Sequence, residues 1–194
     1  MHRYVERLAR LFALLGGIVL SALIIMVCLS IVGRSLNSIL NGDMMQEAMP
    51  AFADALLAMG VGPINGDFEL VEAGMAFAIF AFLPLCHLRG GHASVDIFTQ
   101  SLSPRLNQFL GLVIEVIFAA VLVVIANQLL LGTLSKQASG QTSFLLQFPV
   151  WWAYAASVTG AIVAAFVAVY TASMRALELV TGKHILPAAT GADH

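Results

Sequence analysis

Residues 11–33 read LFALLGGIVLSALIIMVCLSIVG, a run without a single ionisable side chain other than Cys28. As a helix it extends about 34 Å at 1.5 Å per residue, enough to cross a hydrocarbon core of ~30 Å. Arg3, Arg7 and Arg10 precede it. A cleaved signal peptide has an apolar core of only about 7–15 residues and ends at a small-residue cleavage site. This run therefore reads as a retained signal-anchor helix, and the rest of the chain is read from it.

The composition agrees. Of 194 residues, 60% are hydrophobic and 10% charged, against roughly 25% charged in soluble domains. Mean hydropathy is +0.92. The chain is an integral membrane protein. A net charge of −2 gives no reason to expect a polyanionic partner such as nucleic acid. Two cysteines, Cys28 and Cys86, are too few for a disulfide framework, and the topology below sets them near opposite membrane faces.

Three more spans follow, giving an all-α architecture in one membrane domain over residues 1–194. The expected spans are 11–33, 69–88, 107–132 and 149–174. Of nine basic residues, seven lie in the N-tail (Arg3, Arg7, Arg10), the 87–105 segment (Arg89, Arg105) and the C-tail (Arg175, Lys183). Only Arg34 and Lys136 fall on the other side. The positive-inside rule then places both termini in the cytoplasm.

The external segment after Arg34 is long and acidic, and residues 40–65 have the look of an insertion. Met45, Met49, Phe52, Leu56 and Met59 share one helical face, with Asp43, Glu47 and Asp54 close to the opposite side. This predicts an extracytoplasmic amphipathic helix along the outer surface. Pro50 either kinks it or marks its start. Its Met-rich face is expected on the membrane or on a partner, and its acidic face toward the periplasm.

Residues 87–105, HLRGGHASVDIFTQSLSPR, form the longest polar interruption between apolar stretches. Gly90 and Gly91 should stop the second span. Ser94 caps a short cytoplasmic in-plane helix that puts His92 and Asp96 one turn apart. A metal needs three or four converging ligands, and haem needs axial histidines within the bundle. His2, His184 and His194 lie in the tails, so neither is expected. No nucleophile, base and orienter combine within the spans. The segment reads as a turn with a polar network. No catalytic residue, metal or cofactor is expected.

The small residues Gly160, Ala164, Ala168 and Ala172 recur every fourth position in the last span, as a close helix contact requires. Gly74 and Ala78 repeat this in the second. Trp151, Trp152 and Tyr154 form an interfacial aromatic belt. Arg34 is expected to pair with Glu69 or Glu72, fixing the first span against the second. Glu115 lies inside the third span on a face with Gln108, Gly111, Ala119 and Ala126. An unpaired charge there costs at least ~2.5 kcal/mol near the bilayer centre, so a polar contact to the fourth span or to a partner is expected.

Four ordered groups of residues carry a family resemblance. Arg34 and Asn37 follow the first span, and Gly66-Asp67-Phe68-Glu69-Leu70-Val71-Glu72 opens the second. Arg89-Gly90-Gly91-His92-Ala93-Ser94-Val95-Asp96 closes it. Gly140, Ser143 and Phe148-Pro149-Val150-Trp151-Trp152 precede the fourth. Over about Leu11 to Met174 the chain resembles the small membrane subunit of tripartite ATP-independent periplasmic (TRAP) transporters, the DctQ-like family. Phe68 stands where the family often has tryptophan, and Ala93 replaces a larger aliphatic residue.

That resemblance implies uptake of an organic acid in the bacterial inner membrane, driven by an ion gradient, usually sodium. A periplasmic binding protein delivers the substrate, and a large elevator-type subunit moves it. The small subunit is a fixed scaffold. The residues expected to hold structure or contact a partner are Arg34, Glu69, Glu72, Arg89, His92, Asp96, Glu115, Trp151 and Trp152. Asp43, Glu47 and Asp54 are the candidates for docking the binding protein. The rival readings are a membrane anchor of a redox complex and a self-sufficient small transporter or channel.

Overall fold

The computed structural model describes residues 2–91 and 103–181. The described chain is all-α: α1 (His2–Leu40), α2 (Asp43–Ala48), α3 (Pro50–Ala58), α4 (Asp67–Leu88), α5 (Pro104–Ser139) and α6 (Trp151–Thr181). Four of these, α1, α4, α5 and α6, are long and apolar enough to cross a membrane. The protein is an all-α, four-helix membrane protein. The expected in-plane helix carrying His92 and Asp96 lies outside the described residues, as do Lys183, His184 and His194.

Only α4, with 22 residues, matches the bilayer core, at about 33 Å. With 39, 36 and 31 residues, α1, α5 and α6 run well past the apolar runs from which their spans were read. Polar residues at their ends continue the helices, because solvated backbone ends there cost little outside hydrocarbon. In particular, α1 does not end at Arg34 but continues to Leu40.

The helices form an open row: α1 packs on α4, α4 on α6, and α6 on α5, while the backbones of α4 and α5 stand apart and these two helices meet through side chains. Helix α6 is central, and its small residues explain why. Gly160, Ala161, Ala164, Ala165, Ala168 and Ala172 are all buried, and the alanines meet Ala119, Leu122 and Ala126 of α5. A methyl group built on Gly160 would stand 2.9 Å from Phe80 Cβ and 3.1 Å from the Phe80 carbonyl carbon of α4. The four-residue seam thus serves two neighbours. Similarly, a methyl on Gly16 would stand 3.0 Å from Ala81 Cβ, so α1 and α4 approach as closely.

A second apolar cluster joins Val5 and Ala9 of α1 to Leu88 of α4 and Val167 of α6. Buried hydroxyls inside the helices satisfy themselves. Thr133, Ser157 and Thr171 donate to the carbonyls of Leu129, Ala153 and Val167, four residues back. Helix α4 stops where its glycines dictate. Gly90 is left-handed (φ 62°), and the Gly91 N–H returns to the Cys86 carbonyl at 2.8 Å, closing the helix end in the manner of a glycine cap.

Residues 43–58 form two short helices rather than the single amphipathic helix expected. Met49 is non-helical (φ −145°, ψ 61°), and Pro50 opens α3. Proline has no N–H to continue the preceding ladder, so it starts a helix rather than passing through one. The expected apolar face is split accordingly. Met49, Phe52 and Met59 are exposed, and Ala53 is the residue of α3 that is fully buried, where α3 rests on α1.

Candidate functional site

The end of the bundle away from the N-terminus is built on one face of α1. Ser30, Gly33, Arg34 and Asn37 follow the i, i+3, i+4, i+7 spacing of a helical stripe, and each engages the 61–67 segment. The Ser30 hydroxyl donates to Asp67 Oδ2 at 2.5 Å and accepts the Ile64 N–H at 3.2 Å. Arg34 Nη2 stands 3.7 Å from Asp67 Oδ2. Asn37 Nδ2 donates to the Val61 carbonyl at 3.1 Å. A methyl on Gly33 would overlap the Gly62 carbonyl oxygen, only 2.1 Å away, so the loop backbone lies directly on the helix there.

This corrects the pairing expected for Arg34, whose partner is Asp67 and neither Glu69 nor Glu72. The physical reason is helical phase. Asp67 is the first residue of α4 and faces α1. Glu69, two residues on, is turned about 200° away. Asp67 also accepts the Phe68 N–H at 2.8 Å and sits at the positive end of the α4 dipole.

Glu69 instead grips the connection between α5 and α6. Its two carboxylate oxygens accept the N–H of Leu145 at 2.7 Å and of Leu146 at 3.0 Å, and the residue is buried. Two amides aimed at one carboxylate make charge-assisted hydrogen bonds. The connection is a small hairpin: Thr142 and Pro149 bridge antiparallel, and Ser143 N–H donates to Phe148 C=O at 2.9 Å. Left-handed Gly140 begins it. A methyl on Gly66, itself left-handed at φ 76°, would stand 2.4 Å from Leu146 Cγ. Gly66 and Glu69 are thus the two receptors for the hairpin tip. Glu72, nearly a full turn further, is exposed and has no partner among the described residues.

At the other end, His87 Nε2 of α4 stands 2.8 Å from Glu115 Oε2 of α5. The His87 ring also stacks on Phe118, with centroids 5.0 Å apart and planes 19° apart. Within the chain Glu115 therefore meets α4 rather than α6, the helix expected alongside a partner subunit. The α6 face that meets α5 is alanine-rich, with Ala161, Ala164, Ala165, Ala168 and Ala172 against Ala119, Leu122 and Ala126. The face itself is partly as read: Ala119 and Ala126 are buried, while Gln108 is exposed.

Arg89 caps α4 and is exposed. Trp151 and Trp152 open α6, edge to face with centroids 6.2 Å apart. Asp43 and Glu47 lie on α2 and Asp54 on α3, all exposed. Sequence reasoning missed Ser30, Gly33, Asp67 and His87. The first three were within reach, because Ser30 and Gly33 share the helical stripe of Arg34 and Asn37.

A scan against protein families matches residues 48–178 to the DctQ component of tripartite ATP-independent periplasmic transporters. The matched part runs from the end of α2 to the last turn of α6, about two thirds of the chain. The chain belongs to this family. It is a TRAP transporter small membrane subunit of the DctQ type, a transporter component and not a member of an enzyme family. Searches of curated proteins and of solved structures found no match.

Proposed function

We propose that this DctQ-family chain is the fixed scaffold of a TRAP transporter. It would hold the large elevator-type subunit in the bacterial inner membrane during ion-gradient-driven uptake of an organic acid delivered by a periplasmic binding protein. Family membership carries this reading. The structure supports it in its open helix row, in which α1 and α5 are the outermost helices. Leu14, Ile18, Ile25 and Leu29 of α1 are exposed, as are Ile114, Ile117, Val121 and Val124 of α5. These continuous apolar faces suit lipid or a partner's helices.

The distribution of basic residues supports a cytoplasmic side for both termini. The end bearing the 61–67 segment and the 140–150 hairpin would then face the periplasm. Co-expression with a tagged large subunit tests the reading. The two should purify together, and substrate uptake into proteoliposomes should require both membrane chains, the binding protein and an ion gradient. Flux through this chain alone would instead establish a self-sufficient transporter. A Soret band from the purified chain would establish a haem-bearing anchor.

A further inference from the structure

A cleft of about 920 Å³ opens between α4 and α5 at the hairpin end. It exists because α4 and α5 both pack on α6 while their own backbones stand apart, and the hairpin partly roofs it. Its lining divides by chemistry along the helices. Ala73, Ala76 and Phe80 of α4 and Leu129 of α5 supply apolar walls on the side toward the bundle centre. Glu72 and Lys136 bring opposite charges to the rim.

Neither charge is used up by the fold. Lys136 Nζ donates to Gln141 Oε1 at 2.7 Å, which leaves donors on a group that has three. Glu72 has no hydrogen-bond or ion-pair partner among the described residues. It stands about one and a half turns from the start of α4, exposed at the cleft's rim. Glu69, which also lines the cleft, is already committed to the Leu145 and Leu146 amides.

We propose that the cleft holds one phospholipid with a zwitterionic, primary-amine headgroup. An acyl chain lies along Ala73, Ala76, Phe80 and Leu129, the phosphate meets Lys136, and the headgroup ammonium meets Glu72. Charge complementarity selects this occupant. An anionic lipid such as phosphatidylglycerol would satisfy Lys136 but bring no cation for Glu72, and its phosphate would stand near the Glu72 and Glu69 carboxylates. An apolar partner helix would cover the Glu72 carboxylate and the Lys136 ammonium without supplying a counter-charge to either. A lipid of this class supplies the cation, the anion and the apolar tail in one molecule, and the site needs nothing from the large subunit.

Native mass spectrometry of the full-length chain, delipidated and then offered phosphatidylethanolamine or phosphatidylglycerol, tests this. One phosphatidylethanolamine should be retained in preference to phosphatidylglycerol. Glu72→Gln should lower its occupancy about threefold, the scale of a half-exposed ion pair, and raise that of phosphatidylglycerol, whose charge no longer meets a carboxylate there. Lys136→Gln should weaken both. Circular dichroism would verify that each variant keeps its helices. Equal retention of the two lipids, or phosphatidylethanolamine binding indifferent to Glu72→Gln, would overturn the proposal. So would efficient cross-linking of an Ala76→Cys variant to a co-expressed large subunit, because the cleft would then be a protein interface.

Discussion

His87 Nε2 and Glu115 Oε2 stand 2.8 Å apart and join α4 to α5, two helices that both pack on α6 while their own backbones stand apart. The His87 side chain is 3% exposed and that of Glu115 20%, so water competes little for the contact. Interhelical polar contacts within membranes couple by about 0.6 kcal/mol on average and up to ~1.7 kcal/mol. A double-mutant cycle of His87→Ala and Glu115→Ala, read by unfolding in mixed micelles, should give coupling at the upper end of that range. Strict additivity would mean that the two side chains are neighbours without an energetic link. Glu115→Gln keeps the shape and removes the charge, and it should leave uptake by the assembled transporter intact. Loss of uptake with assembly preserved would assign Glu115 to proton transfer instead.

The sequence made the spans legible because their lengths and lack of charge answer to the bilayer itself, and the alanine and glycine seam of α6 because close packing admits few side chains. Partner choice was less legible. Arg34 was matched to Glu69 or Glu72 on proximity alone, and nothing before the structure fixed the phase of α4. That phase is set where left-handed Gly66 ends the loop and Asp67 begins the helix. His87 falls both at the end of the expected 69–88 span and at the start of the polar 87–105 segment. The structure puts it in the buried last turn of α4. Its pairing with Glu115 depends on how α4 is rotated against α5, which the sequence leaves open. The split of residues 43–58 at Pro50 was half legible, since proline gave the position but not the direction of the chain after it.

Glu69 holds the hairpin by two charge-assisted bonds, each worth about 1.5–3 kcal/mol when a charged partner is removed. Glu69→Ala should free the Leu145 and Leu146 amides, and hydrogen exchange at these two positions should accelerate at least about tenfold. The amides of α6 beyond Ser157 should keep their protection. Unchanged exchange at Leu145 and Leu146 would show that the Gly66–Leu146 packing suffices to hold the hairpin without the carboxylate.

The glycines of α1 differ sharply in what they permit. A methyl on Gly33 would overlap the Gly62 carbonyl, whereas one on Gly17 would meet nothing within 4 Å. Gly33→Ala should destabilise the chain by about 1–3 kcal/mol, because helix and loop backbones must part. Gly17→Ala should be neutral or stabilising by up to ~1 kcal/mol from helix propensity. Parallel thermal unfolding of the two variants checks the contrast. Similar losses in both would place the cost in α1 itself rather than in the loop contact.

The periplasmic docking reading rests on Asp43, Glu47 and Asp54, which are exposed and form no ion pair among the described residues. Asp43 and Glu47 lie one turn apart on α2, and Asp54 follows the break at Met49 on α3. The three carboxylates therefore make a dispersed acidic patch rather than a straight stripe. Such a patch acts at a distance: it speeds encounter with a basic surface more than it tightens the complex. Replacing all three by lysine changes the formal charge from −2 to +4, six units in all. At low salt the association rate with the binding protein, followed by stopped-flow fluorescence, should fall about tenfold. The difference should vanish near 1 M salt, where the screening length is only ~3 Å. A fall that persists at high salt would point to lost short-range contacts, and no fall at low salt would leave the patch as an ordinary solvated face.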